Sequence, residues 1–499
     1  SENILVQESA GQLLENELGW EVAFAYNTEK LGGNGTFGRK SYREILLARY
    51  FREALLRLNP WITPAQMDEA QRKLEHRLST SSLLQINEGK YFLIRDGIPV
   101  TVKKPGGKTE EKRAAVIDFQ NPDNNYFLAI KELKIHGDLY RRRTDIVGFV
   151  NGIPLLFIEL KKNTVDVQDA YTNNYTDYQD TIPHLFYYNA FLIISNGVEA
   201  KAGTLGSKYE FFHEWKRLSE QEQGSVALET MLRGICKKEN FLDLLENFIL
   251  FEHSAGHTAK ILARNHQYLG VNEAIKAYEA RKLNNGKLGV FWHTQGSGKS
   301  FSMVFFARKV RRKISGNFTF LIITDREDLD DQIHKNFVKT EVIGQKEECQ
   351  PKNGKQLRDY LQTNKSFIFT LIHKFRYDRG KKYPVLSTRD DIIVLVDEAH
   401  RTQYKDLAEN MRTALPNANY IAFTGTPLLG SKRLTNQWFG NYVSEYNFAQ
   451  SVEDGSTVPL FYSRRVPEVG LENDFLDDDV VDIIEEENLN EDETRLLEN

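Results

Sequence analysis

The sequence predicts an α/β protein in which a mixed-sheet region precedes a parallel sheet covered by helices on both faces. Three observations carry this. At 499 residues the chain exceeds what one hydrophobic core usually serves, so roughly two to four domains are expected. From about residue 255, short apolar runs ("LGVFW", "FTFLIIT", "SFIFTLI", "DIIVLVD", "YIAFTGT") alternate with amphipathic stretches, as buried parallel strands and their crossover helices do. Before that point helix and strand patterns mix without such regularity. A boundary near residue 250 follows, giving regions 1–250, 251–455 and 456–499.

In chain order, "YREILLARYFREALLRLNP" spaces its apolar residues three and four apart and stops at Asn59-Pro60, which predicts an amphipathic helix. A long irregular stretch around "KKPGGKTEEKR" follows. "DIVGFV" and "IPLLFIELKK" flank Asn151-Gly152, a strong hairpin signal, and "AFLIISNG" reads as a buried strand. No apolar run approaches the ~18 residues that span a bilayer, and the first residues lack a signal-peptide pattern, so a cytoplasmic location is expected. Cys236 and Cys349 lie far apart without CxxC spacing and are read as free thiols. The net charge is -5, but acids dominate from Glu468 onward ("LENDFLDDDVVDIIEEENLNEDETRLLEN"), leaving a body with a basic excess that is compatible with nucleic acid.

The order "LGVFW", "HTQGSGKS", "FSMVFFARKV" is strand, glycine loop, helix, which converges backbone N–H groups and a helix N-terminus on one anion. Gly296 and Gly298 let the backbone approach phosphate oxygens, Lys299 reaches the β- and γ-phosphates of ATP, and the Ser300 hydroxyl ligates Mg²⁺. His293 stands where the strict GxxxxGK spacing wants glycine. "DIIVLVDEAHR" ends a buried strand on Asp397, suited to hold Mg²⁺ through water, and Glu398, suited to orient the attacking water. "YIAFTGTP" ends in Thr424 and Thr426, hydroxyls placed to sense the γ-phosphate.

A second constellation sits in "RRRTDIVGFVNGIPLLFIELKK". Glu159 and Lys161 share one face of a strand, and Asp145 lies on the preceding strand. Two carboxylates and a lysine make a Mg²⁺ site for phosphodiester cleavage: the acids hold the metal and the lysine positions water and stabilises charge. Register sets a condition. A strict two-residue hairpin at Asn151-Gly152 places Asp145 opposite Ile158 and turns Glu159 to the other face, so a bulge is required, and Pro154 is the expected place for it. Arg141, Arg142 and Arg143 precede Asp145 and are candidates for phosphate contacts.

"TQGSGKS", "DEAH" and "TGTP", in this order over about residues 260–450, resemble the first RecA-like motor domain of superfamily 2 helicases and translocases. That resemblance implies nucleotide contacts from Thr294, Ser297 and His400 besides the residues above, and assigns adenine recognition to Gln267 in "RNHQYLG". Thr144-Asp145 with Glu159-Leu160-Lys161 is similar to the PD-(D/E)xK nuclease arrangement, Thr144 replacing the usual proline. The Gln-x-x-x-Tyr segment of RecB-like nucleases is matched imperfectly, either by Asn174 to Tyr178 or by Gln168 to Thr172. Nuclease followed by motor, with phrases such as "VNGIPLLFIELKK" and "WHTQGSGKS", resembles the restriction subunit of type I restriction-modification enzymes across nearly the whole chain. The resemblance implies a PD-(D/E)xK endonuclease-like mixed-sheet domain, a RecA-like parallel-sheet motor domain and the start of a second motor domain. It further implies ATP-dependent movement of double-stranded DNA, Mg²⁺-dependent cleavage remote from the recognition site, and assembly with modification and specificity subunits. S-adenosylmethionine belongs by the same inference to the modification subunit. Without a second RecA-like domain to supply an arginine finger, the chain resembles an N-terminal fragment that turns ATP over poorly. Two other readings stay open: a superfamily 2 DNA helicase with a non-catalytic N-terminal domain, and an ATP-gated scaffold.

Overall fold

The computed structural model describes residues 2–76, 81–104, 107–377, 381–397, 405–426 and 438–458. Residues 1–457 form one compact unit, and the described residues within it build two six-stranded sheets.

The first sheet is mixed. Its elements follow α1 (Glu2–Asn16), β1 (Glu21–Phe24), α2 (Ala48–Leu58), α3 (Pro64–Glu75), α4 (Leu83–Asp96) and a peripheral hairpin, β2 (Ile98–Lys103) and β3 (Thr109–Ala114). Then come β4 (Phe127–Lys131), a short ribbon of β5 (Lys134–His136) and β6 (Arg141–Arg143), β7 (Ile146–Val150), β8 (Ile153–Leu160), α5 (Thr176–Thr181), β9 (Phe191–Ser195) and β10 (Ala200–Gly203). The sheet order is β1-β4-β7-β8-β9-β10, with β1/β4 and β8/β9 parallel and the other pairs antiparallel. Every residue of β7 and β8 is buried, which is why both read as near-continuous apolar runs.

Two local expectations change. The amphipathic pattern that begins at Tyr42 becomes helical only from Ala48, although it ends where Asn59-Pro60 requires, with Asn59 N–H on Leu55 O at 3.0 Å. The stretch expected to be irregular contains β3, paired with β2 in register from Ile98↔Ala114 to Lys103↔Thr109. Five of the six residues of β3 are exposed, so no apolar alternation betrays it.

Linking the sheets are α6 (Leu228–Ile235), α7 (Lys238–Asn247), the hairpin β11 (Ile249–Ser254) and β12 (His257–Leu262), and α8 (Asn265–Glu279). Residue 250, the expected boundary, falls inside β11. The second sheet is parallel throughout. It comprises β13 (Lys287–His293), β14 (Thr319–Thr324), β15 (Phe367–Leu371), β16 (Ile392–Asp397), β17 (Asn419–Thr424) and β18 (Tyr442–Tyr446), in the order β15-β14-β16-β17-β13-β18. The first five are the apolar runs of the sequence. Half-polar β18 was not anticipated. Helices α9 (Lys299–Lys313) and α10 (Glu327–Lys339) are crossovers.

The far end of α9 is pinned to the first half. Lys309 Nζ lies 2.6 Å from both carboxylate oxygens of Asp243, Arg312 reaches Asp96 at 3.0 Å, and Phe305 packs on Phe248 with centroids 5.5 Å apart. The helix that starts at the glycine loop therefore ends on α4 and α7. Both cysteines are buried and free, and among the described residues no helix is long and apolar enough to cross a membrane.

Lys260 is 3% exposed, and its Nζ donates to Asn87 Oδ1 (2.9 Å) and Asn189 O (2.6 Å), with no ion pair to a described carboxylate. Burial lowers its pKa from 10.5 to about 7. Between those values the unfolded chain binds more protons than the folded one, so this residue makes stability rise with pH across that window. Lys260→Met should therefore melt at or above the wild-type temperature at neutral pH and lose that advantage towards pH 10. Melting curves across the window check it; a variant less stable than wild type at pH 7 would refute it.

Candidate active sites: a carboxylate pair and a phosphate loop

The β7/β8 hairpin turns through Asn151 (φ 52°) and Gly152 (φ 78°), both left-handed, with Val150 opposite Ile153. Phe149 faces Pro154, but Gly148 faces Leu156, so Leu155 is one extra residue. This bulge shifts the register to Ile146 opposite Ile158, and the next positions outward, Asp145 and Glu159, then share a face. Gly148 is needed beside the bulge: a Cβ there would lie 2.9 Å from Leu156 Cβ and 3.0 Å from the Trp20 ring.

Asp145 Oδ2 accepts the Leu160 N–H at 2.7 Å, which holds its carboxylate across the strand end. Asn174 bridges the other two groups, donating through Nδ2 to Glu159 Oε1 at 2.5 Å and accepting through Oδ1 from Lys161 Nζ. It projects from a π-helical turn, Ala170–Tyr175, a widening of the helix common at functional sites. Gln168, the other candidate, is exposed. Tyr178 donates to Arg143 O at 3.1 Å, closing the ring of contacts behind β6.

Glu159 is 2% exposed, and its Oε2 is buried with no hydrogen-bond partner among the described residues. Burial pushes the Asp145 carboxyl up to about 6, against the pull of the Leu160 N–H and the Lys161 ammonium. Burial, then the Asp145 charge, pushes Glu159 well above the usual carboxylate range. The two carboxylates crowd one another beside a single ammonium, Lys161, and one oxygen of the pair, Glu159 Oε2, is buried without a partner among the described residues. A divalent cation fits both deficits, and Mg²⁺ typically takes only one or two carboxylates, keeping several waters. The described residues contain no cluster of three or more His, Cys, Asp or Glu side chains suited to a metal.

Asn174→Ala should lower Mg²⁺-dependent cleavage by roughly 10–100-fold, the usual cost of losing a group that orients metal ligands. Supercoiled-plasmid cleavage followed against Mg²⁺ concentration measures this; unchanged cleavage would show that the bridge is incidental.

At the second sheet, β13 feeds the glycine loop. Gly296 (φ 79°) and Gly298 (φ 84°) are left-handed, and a Cβ on Gly298 would stand 2.7 Å from Gln267 Nε2, so the loop's backbone path requires glycine there. Lys299 Nζ donates to His293 O at 3.1 Å and Thr294 O at 3.5 Å, and a Cβ on Gly425 would lie 3.3 Å from it. Register places Trp292 opposite Thr424 and Asp397 opposite Phe423, so Lys299, Asp397, Thr424 and Thr426 gather at the carboxyl edge of the sheet. Ser297 Oγ donates to Thr294 O at 2.7 Å, and Thr424 Oγ1 to Thr426 O at 3.1 Å. Ser300 Oγ accepts from Asn336 Nδ2 at 2.9 Å, a partner on α10 that no motif announced. The positive-φ glycines, the helix N-terminus and Lys299 together fit a polyphosphate.

Gln267, to which the resemblance assigns adenine recognition, bonds the protein through both ends of its amide. Its Oε1 accepts from Arg264 N (2.9 Å), its Nε2 donates to Gly298 O (3.0 Å), and the residue is 4% exposed. It caps α8 and props the loop, since the helix start needs an acceptor where the side chain lies. Neighbouring His266, missed in the sequence because a lone histidine carries little signal, bonds Ser297 O at 3.0 Å and stacks on Tyr446 at 3.8 Å. His293 is fully buried against Ser444 Oγ at 2.7 Å, which explains a histidine where a glycine was wanted. Glu398 and His400 lie outside the described residues.

The fold thus defines a mixed-sheet, nuclease-like half joined to a RecA-like half with a phosphate loop. Comparison with known families agrees: residues 1–211 match the type I restriction enzyme R protein N terminus, and residues 266–494 match the SWI2/SNF2 ATPase. The chain accordingly carries the paired regions of a type I restriction enzyme endonuclease subunit. The HindI endonuclease subunit of Haemophilus influenzae is 35% identical over 94% of this chain and 47% of its own length. The SsaAORF53P endonuclease subunit of Staphylococcus saprophyticus is 25% identical over 73% of this chain and 39% of its own. The chain spans about half the length of these relatives or less. Among solved structures, the UvsW helicase of bacteriophage T4 aligns with a TM-score of 0.30 at 14% identity, over 41% of this chain and 66% of that one.

Proposed function

We propose that this chain is the nuclease and motor portion of a type I restriction endonuclease, in which residues 251–455 bind ATP as the first half of a motor that moves double-stranded DNA and residues 1–250 cut that DNA. The observation that carries this is the bulge at Leu155, which brings Asp145 and Glu159 to one face with an unsatisfied buried oxygen, in the same chain as a phosphate loop.

In the nuclease half, Asp145 and Glu159 hold Mg²⁺, which when bound supplies Lewis acidity at a phosphodiester oxygen and acidifies water. Lys161, held by Asn174, points its ammonium at the same face and stabilises the charge that develops there. In the motor half, Lys299 and the loop N–H groups bind the phosphates of ATP. Ser300 and Asp397 serve the accompanying Mg²⁺, with Glu398 and His400 following in the same motif. Thr424 and Thr426, beside Lys299, report the γ-phosphate. Thr294 and Ser297 shape the loop.

The expected partners are modification and specificity subunits, the former carrying S-adenosylmethionine, in the cytoplasm. The test is cleavage of unmethylated duplex DNA by the full-length subunit that contains this chain, assembled with those partners. ATP-dependent double-strand breaks are expected, and an assembly that hydrolyses ATP on DNA without ever cutting it favours a helicase with a non-catalytic N-terminal half.

A further inference from the structure

The ribbon β5/β6 is not used by the chemistry above. Its register pairs Lys134 with Arg143 and His136 with Arg141, which puts these four side chains on one face, while Ile135 and Arg142 take the other. Ile135 is fully buried and Arg142 pairs with Asp177 at 2.6 Å, anchoring the ribbon to α5. On the basic face Arg141 and Arg143 are exposed and Lys134 and His136 half-buried, with Lys134 and Arg143 lying 4.7 and 4.6 Å from the Tyr26 ring centroid. Burial first, and then the charges of Arg141, Arg39, Arg43 and Lys134, lower the His136 pKa. The acids nearby are Glu29, 2.6 Å from the buried Arg39, Asp138, 3.1 Å from Arg43, Glu132, 3.1 Å from Arg143, and Asp177 on Arg142, with Glu44 and Asp180 lining the same cleft as His136 and Tyr140.

The tip has the opposite chemistry. Leu139 is 87% exposed and Tyr140 50% exposed, with the Arg142 guanidinium 5.0 Å from the Tyr140 ring centroid. The turn is closed by the Gly137 N–H on Tyr140 O at 2.8 Å and lies against α5, where a Cβ on Gly137 would overlap Thr181 O at 2.0 Å. The ribbon thus presents a leucine and a tyrosine side by side to water next to a basic face. The strand runs from this tip into Thr144-Asp145, so six extended residues put it at most about 20 Å from the carboxylate pair, a few base-pair steps along a duplex.

We propose that the β5/β6 ribbon is a DNA wedge: its basic face rests on backbone phosphates, and Leu139 with Tyr140 enters a groove and unstacks a base step beside the cleavage centre. Apolar side chains inserted between base pairs on a basic support kink duplexes in this way. The inference rests on the nuclease reading, because DNA must lie across Asp145 and Glu159 for the ribbon to reach it.

The test uses the full chain, a chelator to prevent cutting, and duplexes carrying 2-aminopurine at successive positions. Wild type should raise the fluorescence at one or two adjacent positions. Leu139→Ala/Tyr140→Ala should lose most of that rise while its affinity falls less than about tenfold, and Arg141→Ala should weaken binding with a salt slope lower by about one. A double variant that keeps the rise, or a wild type that binds without unstacking any step, overturns the wedge. So does a double variant normal on DNA but defective in assembling with other protein subunits, which would make the tip a protein contact. Asp145-dependent cleavage is measured in parallel: if it persists while the wedge result is negative, only the wedge falls; if it is absent, the nuclease reading falls too.

Discussion

Asp145→Asn should abolish DNA cleavage, by on the order of 10³-fold or more, while ATP turnover stays at the wild-type rate. The magnitude follows from several kcal/mol of metal-borne charge stabilisation lost with one ligand. Selectivity follows from distance in the chain: the carboxylate pair ends β7 and β8, whereas the phosphate loop follows β13 in the other sheet. A second consequence separates a metal centre from a structural carboxylate pair. In chelator, the neutral amide relieves the crowding of Asp145 against Glu159 and can still accept the Leu160 N–H, so the variant should unfold at a higher temperature than wild type. Divalent-ion titration by calorimetry should show one site lost. A variant that is less stable in chelator and keeps that site would show that the carboxylates serve the fold.

Lys299→Ala should reduce ATP hydrolysis by roughly 10²–10³-fold, the usual cost of removing one preorganised group from developing phosphate charge. Here the ammonium lies against the His293 and Thr294 carbonyls at the base of the loop and beside Gly425. The prediction includes loss of ATP-dependent DNA cleavage with the nuclease residues untouched, because a motor that cannot turn over cannot deliver DNA to them. Phosphate release on long duplex DNA measures the first effect and plasmid linearisation the second. Wild-type phosphate release by Lys299→Ala would remove the loop from the mechanism.

Much of the fold was legible because burial leaves a simple signature. Strands β14 to β17 are buried on both faces and read as apolar runs bounded by turn residues. The need for a bulge was legible from chemistry, because Asp145 and Glu159 could act together only if one residue were added to the β7/β8 register; its place was one residue off, since Pro154 pairs with Phe149 and Leu155 is the extra residue. What escaped was set by tertiary contact. Strand β3, charged along both faces, has no periodicity to reveal it. Asn174 could not be told from Gln168 by spacing, because a π-helical turn decides which side chain reaches Glu159 and Lys161. The sequence singled out Gln267 for adenine recognition, and its amide's hydrogen bonds to the start of α8 and to the Gly298 carbonyl are ones that only the fold specifies. The pinning of α9 to Asp243 and Asp96 was equally invisible, since its partners lie 66 and 216 residues away.

The proposed union of a metal nuclease and an ATP motor in one chain makes cleavage and ATP turnover separable by a single substitution. Its most direct test follows phosphate release and plasmid cleavage in the same reaction for the assembled enzyme carrying wild-type chain or Asp145→Asn. The prediction is equal phosphate release from both and double-strand breaks from wild type alone. Breaks at the wild-type rate from the Asp145→Asn enzyme would contradict it.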